Sequence, residues 1–489
     1  MRMPKSLLFI LTILLTLHST SCSLDIPLED KVSDPRAISS ITAMRRATAA
    51  AYLSYAWHDY DIVFSILAEE FQPSTWLAQQ SNDLLRYLWN ELSLRDEAVN
   101  LWQDHYKTIM LCNTVLERVD DIAASSESDR KQRDALQGTV LLLKARCYLQ
   151  LLQVFSAAPR DGDLAGDGIV LRDRVAFEMQ PRSSIEASLN AILSLIDQAL
   201  PLLKDNGVGS ENPSVVSKTP SNAINWLSYP AGLLLKAQTA LWKSDFETAL
   251  KASEEVLDLK NKLFKNPAKN RYEEMWTAKG TGDALYAHDQ LEKQRGVSLY
   301  QNAIQYDLDN GDLYSIAPGT ELEPGDVRKG FYEIPFSLPN GQTMLLWGKY
   351  NYMNRNNIEF KVTYDLRLSE ALFIAAESLA VLGRDGQAHD LLNEWLKSLG
   401  CHDIPASLAG DNLVKHILRL KMQEFRGEGT SYFDMKRWHR PAARFNAAGT
   451  KGGFRIEPSD FRWVWPLPMA EVRTSNGKVH QNPGWAFEQ

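Results

Sequence analysis

The sequence predicts a mostly α-helical protein: paired helices form a scaffold, and a long irregular stretch forms one face. Three observations predict it. Apolar residues recur at helical spacing through much of the 489-residue chain. Two distant segments share one helical-hairpin pattern. Between them, a stretch from about 261 to 362 loses that periodicity and fills with Gly, Pro, Asn, Asp and Tyr.

Each element has its own signal. Lys131–Phe155 places Leu141, Ala145, Tyr148, Leu152 and Phe155 on one face of an amphipathic helix. Met44–Trp57, Glu97–Val119, Ile185–Leu203 and Val414–Phe425 read the same way. Leu233–Leu257 breaks near Ser244-Asp245, and Leu368–Leu396 breaks at Gly383-Arg384-Asp385-Gly386. Ala237, Ala249 and Val256 are spaced 12 and 7 apart, and so are Ala376, Ala388 and Trp395. This is the small-small-large spacing of tetratricopeptide-like (TPR-like) hairpins, where small residues let paired helices approach closely. The two patterns start 139 residues apart, so they are not consecutive repeats in sequence. Asp283–Ala287 and Thr343–Trp347 read as short β pieces inside the excursion. A hundred irregular residues in a helical domain point to use, and loops on rigid scaffolds commonly bind ligands. The tail from about 440 to 489 is irregular and dense in Trp and Pro.

The first residues predict export. Arg2 and Lys5 precede an 11-residue apolar run, Leu7–Leu17, and residues 1–21 read as a signal peptide. The run is too short for a bilayer span, which takes about 20 apolar residues. Small residues lead into Cys22, the expected lipid anchor, and 22–489 is expected to be a single domain. One acyl chain anchors only marginally, so stable attachment takes more than one. Lys and Arg number 53 against 61 Asp and Glu; losing a leader with two cations and no acid takes the charge from −8 to −10. That balance argues against a nucleic-acid partner. Composition is ordinary for a globular chain, with 44% hydrophobic and 23% charged residues. Cys112, Cys147 and Cys401 form no metal or disulfide pattern, and Cys112 and Cys147 are expected as buried small hydrophobes.

Motifs for catalysis or cofactors do not occur: there is no HExxH, GxSxG or GxxxxGK[ST]. His58 and His105 read as surface or capping residues. Asp161, Asp163 and Asp167, and Asp307, Asp309 and Asp312, read as turn formers; no metal is expected. Glu370, Glu377, Arg419, Glu424, Arg426, Glu428, Asp434 and Arg437 lie among apolar helix positions. A catalytic carboxylate pair is one reading. The favoured one is a structural ion-pair network, carried by Glu370, Arg419, Glu424, Glu428, Asp434 and Arg437, because buried carboxylates persist only when paired.

The chain resembles the SusD/RagB family of outer-membrane nutrient-binding lipoproteins. The resemblance rests on Cys22-Ser23-Leu24-Asp25-Ile26-Pro27; on Trp102, Tyr106, Ile109 and Asn113; and on Lys144-Ala145-Arg146-Cys147-Tyr148 with Leu152 and Phe155. It continues through Arg367-Leu368-Ser369-Glu370-Ala371 with Ala376-Glu377, then Glu424-Phe425 with Gly427-Glu428-Gly429 and Phe433-Asp434-Met435-Lys436-Arg437, and closes on Gln481-Asn482-Pro483-Gly484-Trp485. Ser156-Ala157-Ala158-Pro159 departs from the family's Y-G-x-V-P. The resemblance implies the SusD-like fold, a surface-exposed lipid-anchored location at the outer membrane, and a SusC-type TonB-dependent transporter as partner. It implies a binding protein and not an enzyme, with oligosaccharide as cargo and peptide as the alternative. A secreted hydrolase and a protein-binding scaffold are further alternatives.

A glycan receptor needs flat apolar plates with polar groups beside them. Trp226, Trp242, Trp395 and Trp438 sit in helical patterns and are expected in the core, and Trp463, Trp465 and Trp485 on the scaffold. The ligand-binding candidates are the aromatics of irregular stretches: Trp76, Trp89, Trp276, Tyr286, Tyr300, Tyr306, Tyr314, Trp347 and Tyr350. Asn82, Asp83 and Arg86 are the expected polar partners.

Overall fold

The computed structural model describes residues 38–485 apart from 58–59, 74–81, 161, 177, 207–224, 266–267, 277–281, 290–313, 338–340, 342, 350–361 and 445–454. The leader and Cys22 therefore lie outside the described residues.

Helices dominate, and side-chain caps start several of them. The first is α1 (Ile41–Ser54), whose N-terminus Ser40 caps by accepting from the Ala43 amide. There follow α2 (Asp61–Leu67), the short strand β1 (Phe71–Pro73), α3 (Asn82–Tyr87), and α4 (Glu91–Leu116), capped by Asn90. Next is α5 (Glu127–Phe155), opened by a capping box in which Ser126 and Asp129 satisfy each other's amides. Then comes α6 (Ile185–Leu203), with bounds that match the sequence expectation.

The two hairpins form as their spacing requires. The first is α7 (Tyr229–Trp242) and α8 (Phe246–Lys265), turned at Ser244. Among the described residues the excursion then includes α9 (Ala268–Trp276), a helix that periodicity did not show. The strands β2 (Ala284–Asp289), β3 (Tyr314–Ile316), β4 (Glu333–Ser337), β5 (Thr343–Trp347) and β6 (Val362–Arg367) follow, with the one-turn α10 (Lys329–Tyr332) just before β4. The second hairpin is α11 (Leu368–Val381) and α12 (Asp385–Leu399); α13 (Gly410–Phe425) and α14 (Thr430–Arg437) complete the helical scaffold.

Although distant in sequence, the hairpins meet in space, because α8 packs along α11. The run α4, α5, α6, α7, α8, α11 is thus continuous, each helix against the next. Ala237, Ala249, Val256, Ala376, Ala388 and Trp395 are all buried along it. Close approach is enforced elsewhere too: a Cβ on Gly138 of α5 would stand 2.7 Å from Leu203 Cγ of α6.

Among the described residues the strands occur as antiparallel pairs, including the two-residue strands Ala442–Ala443 and Arg455–Ile456 of the tail. β1 pairs β3, β2 pairs β6 and β4 pairs β5. Their register brings together residues that flank several segments outside the described residues. Pro73 pairs with Tyr314, and Asp289 pairs with Val362. Segments 74–81, 290–313 and 350–361 therefore begin or end at these two strand-pair ends.

Trp226, Trp242, Trp395, Trp463, Trp465 and Trp485 are buried as expected, and Trp438 is half-buried. Cys112 and Cys147 are buried free thiols. His105 corrects an expectation. It is buried, not at the surface, with Nδ1 donating to the Leu101 carbonyl at 2.9 Å and Nε2 accepting from the Gln150 amide at 3.0 Å. His58 lies outside the described residues.

Candidate functional site

The charged residues of the scaffold assemble around the end of the β2–β6 pair where Ala284 meets Arg367. Glu424, at the end of α13, is the centre of a wholly buried cluster. Its carboxylate accepts from Arg328 at 2.8 Å, Arg367 at 2.7 Å, Tyr272 at 2.9 Å and Tyr332 at 3.1 Å. Arg367, the last residue of β6, also donates to Glu428 at 2.8 Å and lies 3.4 Å from Asp283. Arg328 clamps Asp326 through Nε and Nη2. Lys349, two residues past β5, donates to the Glu424 carbonyl at 2.7 Å and pairs with Glu428. Burial alone raises the Glu424 carboxyl; the cations Arg367, Arg328 and Lys349 overcome that and hold it at about 2. Burial pulls the Lys349 ammonium down to about 8, against Glu428 and Glu424.

The cluster gathers one residue from the start of β2 (Asp283), one from beyond β5 (Lys349), one from β6 (Arg367) and two from α13 and its exit (Glu424, Glu428). It therefore fastens the strands that feed the loops to the helical scaffold.

A second cluster lies alongside. Arg437 forks onto Glu377, with Nη2 at 2.8 Å from Oε2, and donates to Asp434 at 2.9 Å. Lys421 bridges Asp434 at 2.9 Å and Glu370 at 3.7 Å. Arg146 binds Asp365 at 2.5 Å, and the Tyr55 hydroxyl donates to Asp365 at 3.1 Å. Burial would raise Asp365, yet Arg146 and His288 hold it below the usual carboxylate range. Arg146, Asp365, Glu370, Lys421, Asp434 and Arg437 line a cleft of about 60 Å³. A water needs at least about 10–15 Å³ and ligand pockets run to several hundred, so this cleft suits a few waters and no sugar ring.

Every carboxylate in these two clusters is held by a cation, which favours the structural network over an acid/base pair. Glu370, Glu424, Glu428, Asp434 and Arg437 take part. Arg419 does not, and this is a correction: it is exposed on α13, and its guanidinium donates to the Gly319 carbonyl at 3.2 Å. Five residues from Glu424 is about 140° round the helix, so Arg419 falls on the outer side. Arg328, Lys349, Asp283 and Asp326 were missed, because they lie in the stretch without periodicity. Arg367 and Arg146 lie within the family motifs, but nothing local marks their charge as buried.

Four binding candidates are corrected. Trp89, Trp276, Tyr286 and Trp347 are at most 2% exposed. Trp89 sits at φ 55°, donates to the Leu67 carbonyl and meets Trp463 edge-on at 4.6 Å. Trp276 packs edge-on against Tyr332 and Tyr364. Tyr286 packs on Tyr52 and Tyr55. Trp347 donates to the Arg426 carbonyl at 3.0 Å. The lack of helical periodicity in the sequence suggests loops, but Trp276 ends α9, Tyr286 lies in β2 and Trp347 ends β5, and packing buries all four rings because their apolar area favours it. Arg86 is ion-paired to Glu97. Asn82 and Asp83 open α3, and Tyr314 opens β3 opposite Pro73. Trp76, Tyr300, Tyr306 and Tyr350 lie outside the described residues, on the segments that leave from the paired strand ends.

Comparison with known proteins now bears on this architecture. A family model described as "Starch-binding associating with outer membrane" matches residues 29–223, and the SusD family model matches 339–485. The chain belongs to the SusD/RagB family. Solved SusD-type structures share its fold at low identity. A SusD superfamily protein from Bacteroides vulgatus superposes with TM-score 0.74 at 19% identity, covering 92% of this chain and 100% of that one. A SusD-like carbohydrate binding protein from the same organism gives 0.69 at 16%, covering 90% and 97%. Surface glycan-binding protein A from Bacteroides thetaiotaomicron gives 0.65 at 15%, covering 91% and 100%. No curated protein matches the chain. Among the described residues no helix of this SusD-family protein is long and apolar enough to cross a membrane, and no group of His, Cys, Asp and Glu is arranged to hold a metal ion.

Proposed function

We propose that this SusD-family protein is a non-catalytic outer-membrane lipoprotein that binds oligosaccharide and passes it to a SusC-type TonB-dependent transporter. The observation that carries this reading is the match of residues 29–223 to the starch-binding, outer-membrane-associating family model. The paired charges support a non-catalytic role, since a carboxylate locked to guanidinium is a poor acid or base. The carbohydrate-binding description of a Bacteroides vulgatus protein with the same fold supports the choice of cargo. Lipid attachment at Cys22 supplies the anchor.

The ligand face is the set of segments rooted at the Pro73–Tyr314 and Asp289–Val362 strand ends. Trp76, Tyr300 and Tyr350 serve as sugar plates there, with Asn82, Asp83 and Tyr314 at the margin. The charged cluster below supplies the stiffness: rings offered on rigid roots lose little freedom on binding.

Isothermal titration of the mature chain against neutral oligosaccharides and peptides tests this. Saturable oligosaccharide binding, weakened about tenfold or more by Trp76→Ala at an unchanged melting temperature, is expected. Binding of peptides alone overturns the cargo, and turnover of any bound glycan overturns the non-catalytic role. Cys22→Ala is expected to release the protein from the outer membrane, and co-purification with a TonB-dependent barrel tests the partner.

A further inference from the structure

The C-terminal end of α5 adjoins a second cavity of about 420 Å³, lined by none of the residues of the charged cleft. That volume lies within the range of small-molecule sites. Ala157 and Ala158 form one wall. Their side chains are a single methyl each, which leaves the space open. Phe461, Trp463 and Pro483 supply apolar walls from the tail.

Two basic side chains line the same cavity. Arg440 is half-buried, and its guanidinium makes no ion pair or hydrogen bond among the described residues. Lys436 is 4% exposed, and its amine donates only to the carbonyls of Gln153 at 2.7 Å and Val154 at 3.3 Å. No carboxylate of the described residues lies within 4 Å of either. The acids that share the lining are accounted for otherwise. Asp460 is forked onto Arg462, with bonds of 2.9 and 2.7 Å. Asp167 is at the rim, its side chain 70% exposed and 3.9 Å from Arg182. A buried or half-buried cation is ordinarily matched by an anion. Here the match is missing beside open space.

We propose that this cavity is a second ligand site, one that takes a carboxylated sugar ring such as a hexuronate. Arg440 supplies the permanent charge and the planar fork that fits a carboxylate. Lys436 supplies an N–H donor. Burial pushes its ammonium well down, and a neutral amine still donates a hydrogen bond. The Phe461 and Trp463 side receives the C–H face of the ring. The charge pattern separates this site from a neutral-glycan site: the chain as a whole is acidic, so the unmatched Arg440 guanidinium beside the Lys436 amine donor is a local exception. The inference stands independently of the loop-borne site proposed above.

The test is titration of the mature protein with methyl glucuronide and, in parallel, methyl glucoside and an acidic dipeptide. The expected result is saturable glucuronide binding at least tenfold tighter than glucoside, weakening as sodium chloride rises. Arg440→Ala is expected to weaken glucuronide binding tenfold or more at an unchanged melting temperature, and Arg440→Lys to restore part of it. Ala157→Trp fills the cavity and is expected to abolish binding. Arg440, half-buried and unpaired, keeps the test valid if the larger side chain disturbs folding. Equal affinity for glucuronide and glucoside, an unchanged affinity in Arg440→Ala, or preference for the dipeptide overturns the proposal. Trp76→Ala is expected to leave glucuronide binding intact, so failure of the loop site and failure of this one read out separately.

Discussion

Replacing Arg367 with Met removes the cation that joins β6 to three carboxylates. The buried cluster holds four acids, Asp283, Asp326, Glu424 and Glu428, against three cations, Arg328, Lys349 and Arg367. Arg367→Met leaves four acids against two cations, with Glu428 losing a 2.8 Å bond and Glu424 a 2.7 Å bond. Removing one partner of a buried pair costs about 3–5 kcal/mol. Glu424→Gln acts in the opposite sense. It brings the cluster to three against three but keeps only one of the two acceptor oxygens, so charge assistance and the bonds from one pair of donors are lost, about 1–3 kcal/mol. Urea unfolding at neutral pH measures both, through the midpoint at constant slope. The arginine variant is expected to be the less stable by at least about 1 kcal/mol. An Arg367→Met variant within about 1 kcal/mol of the parent, or less harmful than Glu424→Gln, would refute the cluster as the fastening between strands and scaffold. The same cluster sets an acid limb. Glu424 titrates at about 2 when folded and about 4.5 when unfolded, so its stabilisation is complete above 4.5 and is lost as pH falls towards 2. At about 1.4 kcal/mol per pH unit this amounts to about 3 kcal/mol, and Glu424→Gln is expected to remove that part of the slope.

Three further outcomes are expected. Gly427→Ala should destabilise by about 2–5 kcal/mol: φ is +81°, and a Cβ would lie 2.1 Å from the Trp347 ring, combining left-handed strain with overpacking; urea midpoints and tryptophan fluorescence report it, and a neutral effect contradicts the packing. His105 is held neutral by burial, pushed down to about 4 despite bonds to Gln150 and Leu101, so an unfolded chain takes up a proton below about 6.5 that the folded chain refuses; about 2 kcal/mol should disappear between pH 7 and pH 5, and His105→Gln should flatten that slope in paired urea titrations. Trp89→Ala should cost about 3–5 kcal/mol as a core truncation while leaving glycan affinity of the folded protein unchanged; a selective loss of affinity at full stability would restore Trp89 as a sugar plate.

The helical architecture was legible because helix faces repeat. α6 falls on its expected bounds, and the 12-and-7 spacing marks both hairpins and their buried alanines. The paired charges were legible in part. Glu424, Glu428, Asp434 and Arg437 stand out among apolar neighbours on helices, where a charge in the wrong face is visible by period alone. Arg419 looked the same in sequence and is exposed, because its position on the α13 face is set by what packs there. Arg328 and Lys349 stayed hidden, since nothing local marks a loop cation that will be buried by a helix nearly a hundred residues away.

Taken alone, the sequence determined the helical class, the two hairpins and the family pattern, all of which rest on short-range order along the chain. Tertiary structure alone decided which aromatics face inward, which cations meet which acids, that the distant hairpins stack through α8 and α11, and that Arg440 and Lys436 are left without a carboxylate beside an open cavity. Those outcomes depend on contacts between residues far apart in sequence. Burial is a property of the surrounding fold, and no local spacing encodes it.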